Sequence, residues 1–226
     1  MVISVDERIH QAELLYQRAV YGGDIGAHAQ ADRELDAVEA DLALARGRIT
    51  HARFLACRDE DPDGAREDPD ELALFERAAE LYRALGDIRG EAGALLWVGC
   101  FHQVVRCDHE AAARALDRSF ELAVQVGDSV TRSDALRYLG IQAHAAGRPD
   151  LARERLEEST RLRREAGLLP GVASNLIGLA YIAAGQGRLD DASVLLDEAD
   201  EIAGISDSQR ILRSIGEARA ELRGTG

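Results

Sequence analysis

The chain reads as an all-α protein built from repeated helical hairpins, and three observations predict it. Ala112, Ala152 and Ala192 lie forty residues apart, Leu116, Leu156 and Leu196 keep that spacing, and Ser119, Ser159 and Ala199 follow three residues later. A period of this length encodes a hairpin that cannot bury its apolar face alone, so neighbouring hairpins must stack. Apolar residues recur at helical spacing, alternating β-branched runs are missing, and only four prolines interrupt the pattern. Gly86, Gly127 and Gly167 recur at spacings of 41 and 40, where a residue free to turn left-handed ends a helix.

Taken along the chain, these signals predict helices near 5–21, 25–38, 40–57, 70–85, 89–106, 109–126, 129–146, 149–166, 170–185, 189–204 and 207–223. Ser4-x-x-Glu7 opens the first as a capping box, and Ser206-x-x-Gln209 opens the last. Asp68-Pro69-Asp70-Glu71 reads as a cap, a first-turn proline and an acidic first turn, while Pro149 and Pro170 sit where a first helical residue belongs. The acidic, turn-rich stretch 58–69 is expected as an exposed loop within one hairpin. In the last helix Ile211, Leu212, Ile215 and Leu222 form one apolar stripe, as a terminal cap requires. The expected layout is a single domain over 1–226: degenerate repeats over 5–57, clear repeats over 70–204 and a capping helix over 207–223, which makes about five hairpins plus the cap.

Composition excludes several functions. Net charge is −14, so the summed field repels phosphate backbones and anionic lipid, and neither nucleic acid nor membrane is an expected partner. There is no lysine: all 27 cationic residues are arginine. A phosphate-cradling loop with its lysine and Schiff-base chemistry are thereby ruled out. The richness in Arg, Ala, Gly and Asp is of the kind GC-rich bacterial genomes encode. The N-terminus has no basic region followed by an apolar core, and three cysteines make no disulfide framework; both point to the cytoplasm.

An apolar residue precedes glycine at Val98-Gly99, Leu139-Gly140 and Ile177-Gly178, and Ala152, Leu156 and Ser159 follow Gly140 at twelve, sixteen and nineteen residues. This pattern resembles the tetratricopeptide repeat, in a longer-period bacterial form of about forty residues. The resemblance implies a right-handed superhelical solenoid whose concave wall is lined by the first helix of each hairpin. Counted from the glycine, that wall would hold Gly93, Leu96, Cys100 and Gln103, then Asp134, Arg137, Ile141 and His144, then Val172, Asn175, Leu179 and Ile182. The i, i+3, i+7, i+10 spacing puts each set on one helical face. Such a wall, apolar with a few polar groups, suits a ligand or partner groove; the alternative is that neighbouring hairpins bury it. Within the family, lysine and asparagine can clamp a partner's terminal carboxylate. Here Arg137 with Asn175 would be the equivalent.

No catalytic motif emerges. Cys100-x-His102 and Cys107-x-His109 have metal-ligand residue types, but two positions on a helix differ by about 200° and cannot share an ion without unwinding it. His144 has no identifiable orienting carboxylate, and His10, His28 and His51 stand in no nucleophile context. Neither metal nor cofactor is expected. The leading function is a non-catalytic module binding a protein or peptide, and a homodimer is compatible with it. A ligand- or peptide-sensing regulatory solenoid is the alternative, and an enzyme is the least favoured reading.

Overall fold

The computed structural model describes residues 6–224, and every regular element among them is an α-helix. They are α1 (Glu7–Gly22), α2 (Gly26–Glu60), α3 (Glu71–Leu85), α4 (Ile88–Val104), α5 (His109–Gln125), α6 (Ser129–Ala145), α7 (Pro149–Glu165), α8 (Leu169–Gly185), α9 (Leu189–Ile205) and α10 (Gln209–Gly224). From α5 onward a helix starts every 20 residues, at 109, 129, 149, 169, 189 and 209, so two helices with their turns span 40. Glycine carries the positive φ that ends the helix at Gly86, Gly127, Gly147, Gly167 and Gly187. At each of these turns the residue after the glycine donates its N–H to a carbonyl one helical turn back, as Asp128 does to Ala123 at 2.8 Å. Cys107 and Asp207 take the same left-handed conformation without being glycine.

The chain divides into two compact units, residues 1–122 and 123–226, with the division inside α5. In the first unit α1 packs on α2, α2 on α3 and α3 on α4. The two helices expected over 25–38 and 40–57 are one: α2 runs 35 residues, about 52 Å at 1.5 Å per residue. The cause is in the sequence around Glu39-Ala40, which holds strong helix formers and neither glycine nor proline. Gly47, inside α2, is where Phe75 of α3 packs: a Cβ there would lie 2.5 Å from the ring. Ten helices replace the expected eleven among the described residues, and the expected first two hairpins become α1, α2 and α3 in series. The linker is shorter than expected, starting at Asp61, and it is tied down, since Glu67 accepts hydrogen bonds from Arg106 just after α4.

In the second unit α6 pairs with α7 and α8 with α9, while α10 lies against both α8 and α9. One apolar core runs from Ala143 to Ala218 through Leu156, Val172, Leu176, Leu179, Ile182 and Leu196. Ile215 of α10 is 1% exposed, so the terminal helix buries its stripe against this core. The caps differ from expectation at both ends. Asp6 caps α1 through Arg8 N, and Ser4 lies outside the described residues. Ser206 serves the end of α9, its hydroxyl donating to Ile202 O, and does not open α10. The reason is the left-handed Asp207, which separates Ser206 from the new helix.

The repeat residues explain how hairpins close. Ala112, Leu116 and Ser119 are fully buried on α5, as are Ala152, Leu156 and Ser159 on α7, to within 1%. Gly99 of α4 faces Leu116, where a side chain would collide, and Gly140 of α6 faces Leu156, where it would only crowd. The serine then bonds across the hairpin: Ser119 donates to Ala92 O at 2.8 Å and Ser159 to Ser133 O at 2.7 Å.

Candidate functional site

Of the twelve residues expected on the wall, Gly93 is half-buried and Val172 fully buried, and the other ten divide by burial. Leu96, Cys100 and Gln103 of α4 are 5%, 1% and 9% exposed, and Asn175, Leu179 and Ile182 of α8 are 0%, 8% and 1%. These six face the interior and are not presented to a partner. For α8 the reason is composition and surroundings: its segment LPGVASNLIGLAYIAAG is almost wholly apolar and is flanked by α6, α7, α9 and α10. On α6, Asp134 and Arg137 are half-buried while Ile141 and His144 are exposed. The accessible part of the expected site is therefore one stripe of α6.

Beneath that stripe lies a hydrogen-bonded network centred on Asn175. Its Oδ1 accepts from Arg137 Nη1 at 2.8 Å and from Arg163 Nη1 at 3.1 Å, and its Nδ2 donates to Ser159 Oγ at 2.8 Å. Arg163 also donates to Gly171 O at 2.8 Å and pairs with Asp134 at 2.6 Å. Arg137 Nη1 reaches Ser174 O at 3.0 Å. The amide thus links α6, α7 and α8 and is already occupied by both arginines. Asn175 positions Arg137; it is not itself offered to a partner carboxylate.

Arg163 is not among the expected wall residues, although its register position carries a signal. It lies eleven residues after Ala152, and the residues eleven after Ala112 and Ala192 are Ala123 and Ala203, each 0% exposed. An arginine in an apolar register position must find partners or leave a buried charge uncompensated. Its side chain is 7% exposed, and Asp134 and Asn175 supply those partners.

The first unit holds a second polar cluster, and no short-range signal announces it. Cys100 meets His51 of α2, with Sγ 3.6 Å from Nε2, and His51 Nδ1 lies 2.7 Å from Glu71 Oε1 at the start of α3. His51 and Glu71 are 3% and 0% exposed. Burial, with repulsion from Asp68 and Glu67, pushes the Glu71 carboxyl up to about 7. Sulfur, imidazole and carboxyl stand in the order of nucleophile, base and orienting group, but Cys100 is sealed from solvent. His102, two residues further along α4 and on another face, is half-buried, and burial lowers its basicity. Cys107 falls in the α4–α5 turn and His109 opens α5. Among the described residues no group of three or more His, Cys, Asp or Glu side chains is placed to hold a metal ion.

Two clefts add to these features. One of about 650 Å³ lies between α2 and the start of α3, lined by Arg46, Ile49, Thr50 and Arg53 on one side and Asp68, Asp70 and Leu74 on the other. An apolar one of about 410 Å³ lies between α1 and α2, around Leu15, Tyr16, Ala27 and Leu35. No helix among the described residues is long and apolar enough to cross a membrane.

No family model and no curated protein matches the chain. Solved structures do. Rap protein complexed with competence and sporulation factor aligns with a TM-score of 0.63 at 14% identity, over 92% of this chain and 56% of Rap. The chain thus spans little more than half the length of that protein. BtubC (BKLC) from P. vanneervenii aligns at a TM-score of 0.46 and 16% identity over 89% of this chain and 90% of that one. A putative kinesin light chain of Podosopora anserina with nearly identical TPR-like repeats aligns at 0.44 and 14% over 79% and 97%. At such identities a likeness speaks to fold, and of the three the Rap alignment is close enough to do so. With the sequential packing of its helices, it places this chain in the all-α, tetratricopeptide-like helical-repeat fold.

Proposed function

We propose that this chain is a non-catalytic interaction module that binds a protein or peptide partner on the α6 face of residues 123–226, through Asp134, Arg137, Ile141 and His144. The observation that carries the reading is the accessible stripe itself: Arg137, Ile141 and His144 follow at i, i+4 and i+7, one helical face with a cation, an apolar side chain and an imidazole. The network below holds Arg137 in one rotamer, which lowers the entropy lost when it engages a partner. The complex of Rap with competence and sporulation factor supports the reading, since a chain of this fold there holds a partner. That Cys57, Cys100 and Cys107 form no disulfide suits a reducing, cytoplasmic setting.

Amine-directed crosslinkers have no lysine to attack here, so the test is a photoreactive residue in place of Ile141, with another in place of Val194 on α9, 67% exposed, as control. Irradiation in the native cell should give an adduct at 141 alone, lost on Arg137→Glu. Equal adducts at both positions, or none at 141, would overturn the assignment.

The cleft between α2 and α3 favours a second reading, a ligand-sensing solenoid. Arg46 and Arg53 face Asp68 and Asp70 across about 650 Å³, a size ordinary for small ligands. A zwitterionic ligand would raise Tm by mass action. A dipeptide screen should then give a shift that Arg46→Glu abolishes; no shift with any dipeptide would set this reading aside.

A further inference from the structure

At the junction of α2, α3 and α4 three ionisable side chains from three helices meet in the interior. His51 Nδ1 lies 2.7 Å from Glu71 Oε1 and His51 Nε2 lies 3.6 Å from Cys100 Sγ, with all three residues at most 3% exposed. The second carboxyl oxygen of Glu71 is buried without a hydrogen-bond partner. So is Nε1 of Trp97, whose ring meets His51 edge-on at 5.5 Å. An ionised carboxylate here would leave half its charge with no donor, in a place that water does not reach.

We propose that Glu71, His51 and Cys100 form a buried proton-binding switch, which holds one extra proton below neutral pH and loosens the packing of α2 and α4 on the start of α3 when that proton leaves. The proton count is explicit. In the loaded state the carboxylic acid donates to Nδ1 while Nε2–H donates to Sγ, or the carboxylate accepts from a doubly protonated imidazole; either arrangement carries no net charge. Loss of one proton leaves a carboxylate accepting from Nδ1–H and an Nε2 that accepts from the thiol S–H. The Cys100 hydrogen bond reverses direction, and the core gains one negative charge.

The surrounding groups favour the loaded state. From the linker, Asp68 and Glu67 both repel a Glu71 carboxylate. Glu67 is held by Arg106, which also lies over Phe101. From α2 the nearby cation is Arg48, which is directed at the face of Trp97, 5.3 Å from its centroid. From α4, beyond Cys100 and Trp97, His102 is disfavoured as a cation by its burial. The Glu71 carboxyl, pushed up from 4.5 to about 7, is protonated more readily folded than unfolded. Its stabilisation is therefore full below the unfolded value and is lost as pH rises through about 7.

The test is thermal unfolding of the full chain between about pH 5.5 and 8.5, for wild type and the near-isosteric Glu71→Gln. Wild-type Tm should fall by several degrees across the interval relative to Glu71→Gln, whose neutral amide has no proton to lose. Equal slopes in the two proteins would overturn the proposal. Carbon NMR of ¹³C-labelled glutamates in the wild type needs no variant: one side-chain carboxyl should titrate with a midpoint of about 7. If every glutamate titrates in the ordinary range, the switch does not exist. Mass-resolved alkylation should show Cys100 becoming more reactive with rising pH, relative to Cys57 and Cys107, over the same interval; a constant ratio would count against the loosening.

Discussion

Residues 123–226 and residues 1–122 both bury polar side chains, and they do so by different means. In the second unit Asn175 is surrounded by fixed donors and acceptors: two guanidinium groups that stay charged, a hydroxyl and a paired carboxylate. In the first, His51, Glu71 and Cys100 meet side by side, burial pushes the Glu71 carboxyl up to about 7, and its second oxygen is left unmatched. The first arrangement ties Arg137 of α6 and Arg163 of α7 to one amide of α8. The second stores a dependence on protonation. The same repeat architecture accommodates both because the hairpin contact itself, small residue against leucine, needs neither.

The largest expected effects break the second unit's rigidity. Leu156→Ala removes a side chain that is 1% exposed and touches Gly140 and Gly178, and should cost about 3 kcal/mol in urea unfolding. Asn175→Ala should cost a similar amount, about 3 kcal/mol, because it strips an acceptor from the buried Arg163 and the half-buried Arg137. If Asn175→Ala is instead silent, the network is not what orders this unit.

A smaller effect compares the hairpins. A Cβ at Gly99 would lie 2.5 Å from Leu116 Cγ and 3.2 Å from Ala112 O, whereas at Gly140 the nearest atom is Leu156 Cγ at 3.1 Å. Crowding costs about 1–3 kcal/mol and alanine's helix preference returns about 1. Gly99→Ala should therefore destabilise by about 1 kcal/mol, while Gly140→Ala should be close to neutral. Equal costs would mean that the two hairpins close at the same distance. Smaller again is the cap: Asp128 accepts from Val130 N, Thr131 N and Thr131 Oγ1, and Asp128→Ala should lower stability by about 1 kcal/mol or a little less. At the bottom of the scale, Arg114→Ala removes an exposed pair with Glu110 and should leave the unfolding midpoint unchanged.

Much of the fold was legible before any coordinates. The forty-residue register puts Ala112, Leu116 and Ser119 and their counterparts on one buried face; in two hairpins the leucine fills against glycine and the serine bonds across, whereas in the third Gly178 meets Leu156 and Ala199 has no hydroxyl to donate. The glycine turns and Pro149 marked helix ends because their backbone constraints are local. The continuity of α2 is not legible in its periodicity, since polar stretches change face without breaking a helix. The groove was read less well. Register says which face a residue occupies and not how deeply neighbouring helices cover it: Cys100, Asn175 and Ile182 are interior, while Ile141 and His144 are exposed.

The polar centres mark the limit of that reading. His51 and Cys100 are 49 residues apart, His51 and Glu71 are 20 apart, and no spacing rule joins them. Helix content, turn positions and the inward face of each helix follow from interactions spanning a few residues, which the chain writes out in order. Which proton-bearing groups share a low-dielectric interior follows from three helices closing on one another, and it was decided at α2, α3 and α4 by packing of Phe75 on Gly47 and of Trp97 on Phe75, contacts that carry no trace of the histidine they enclose.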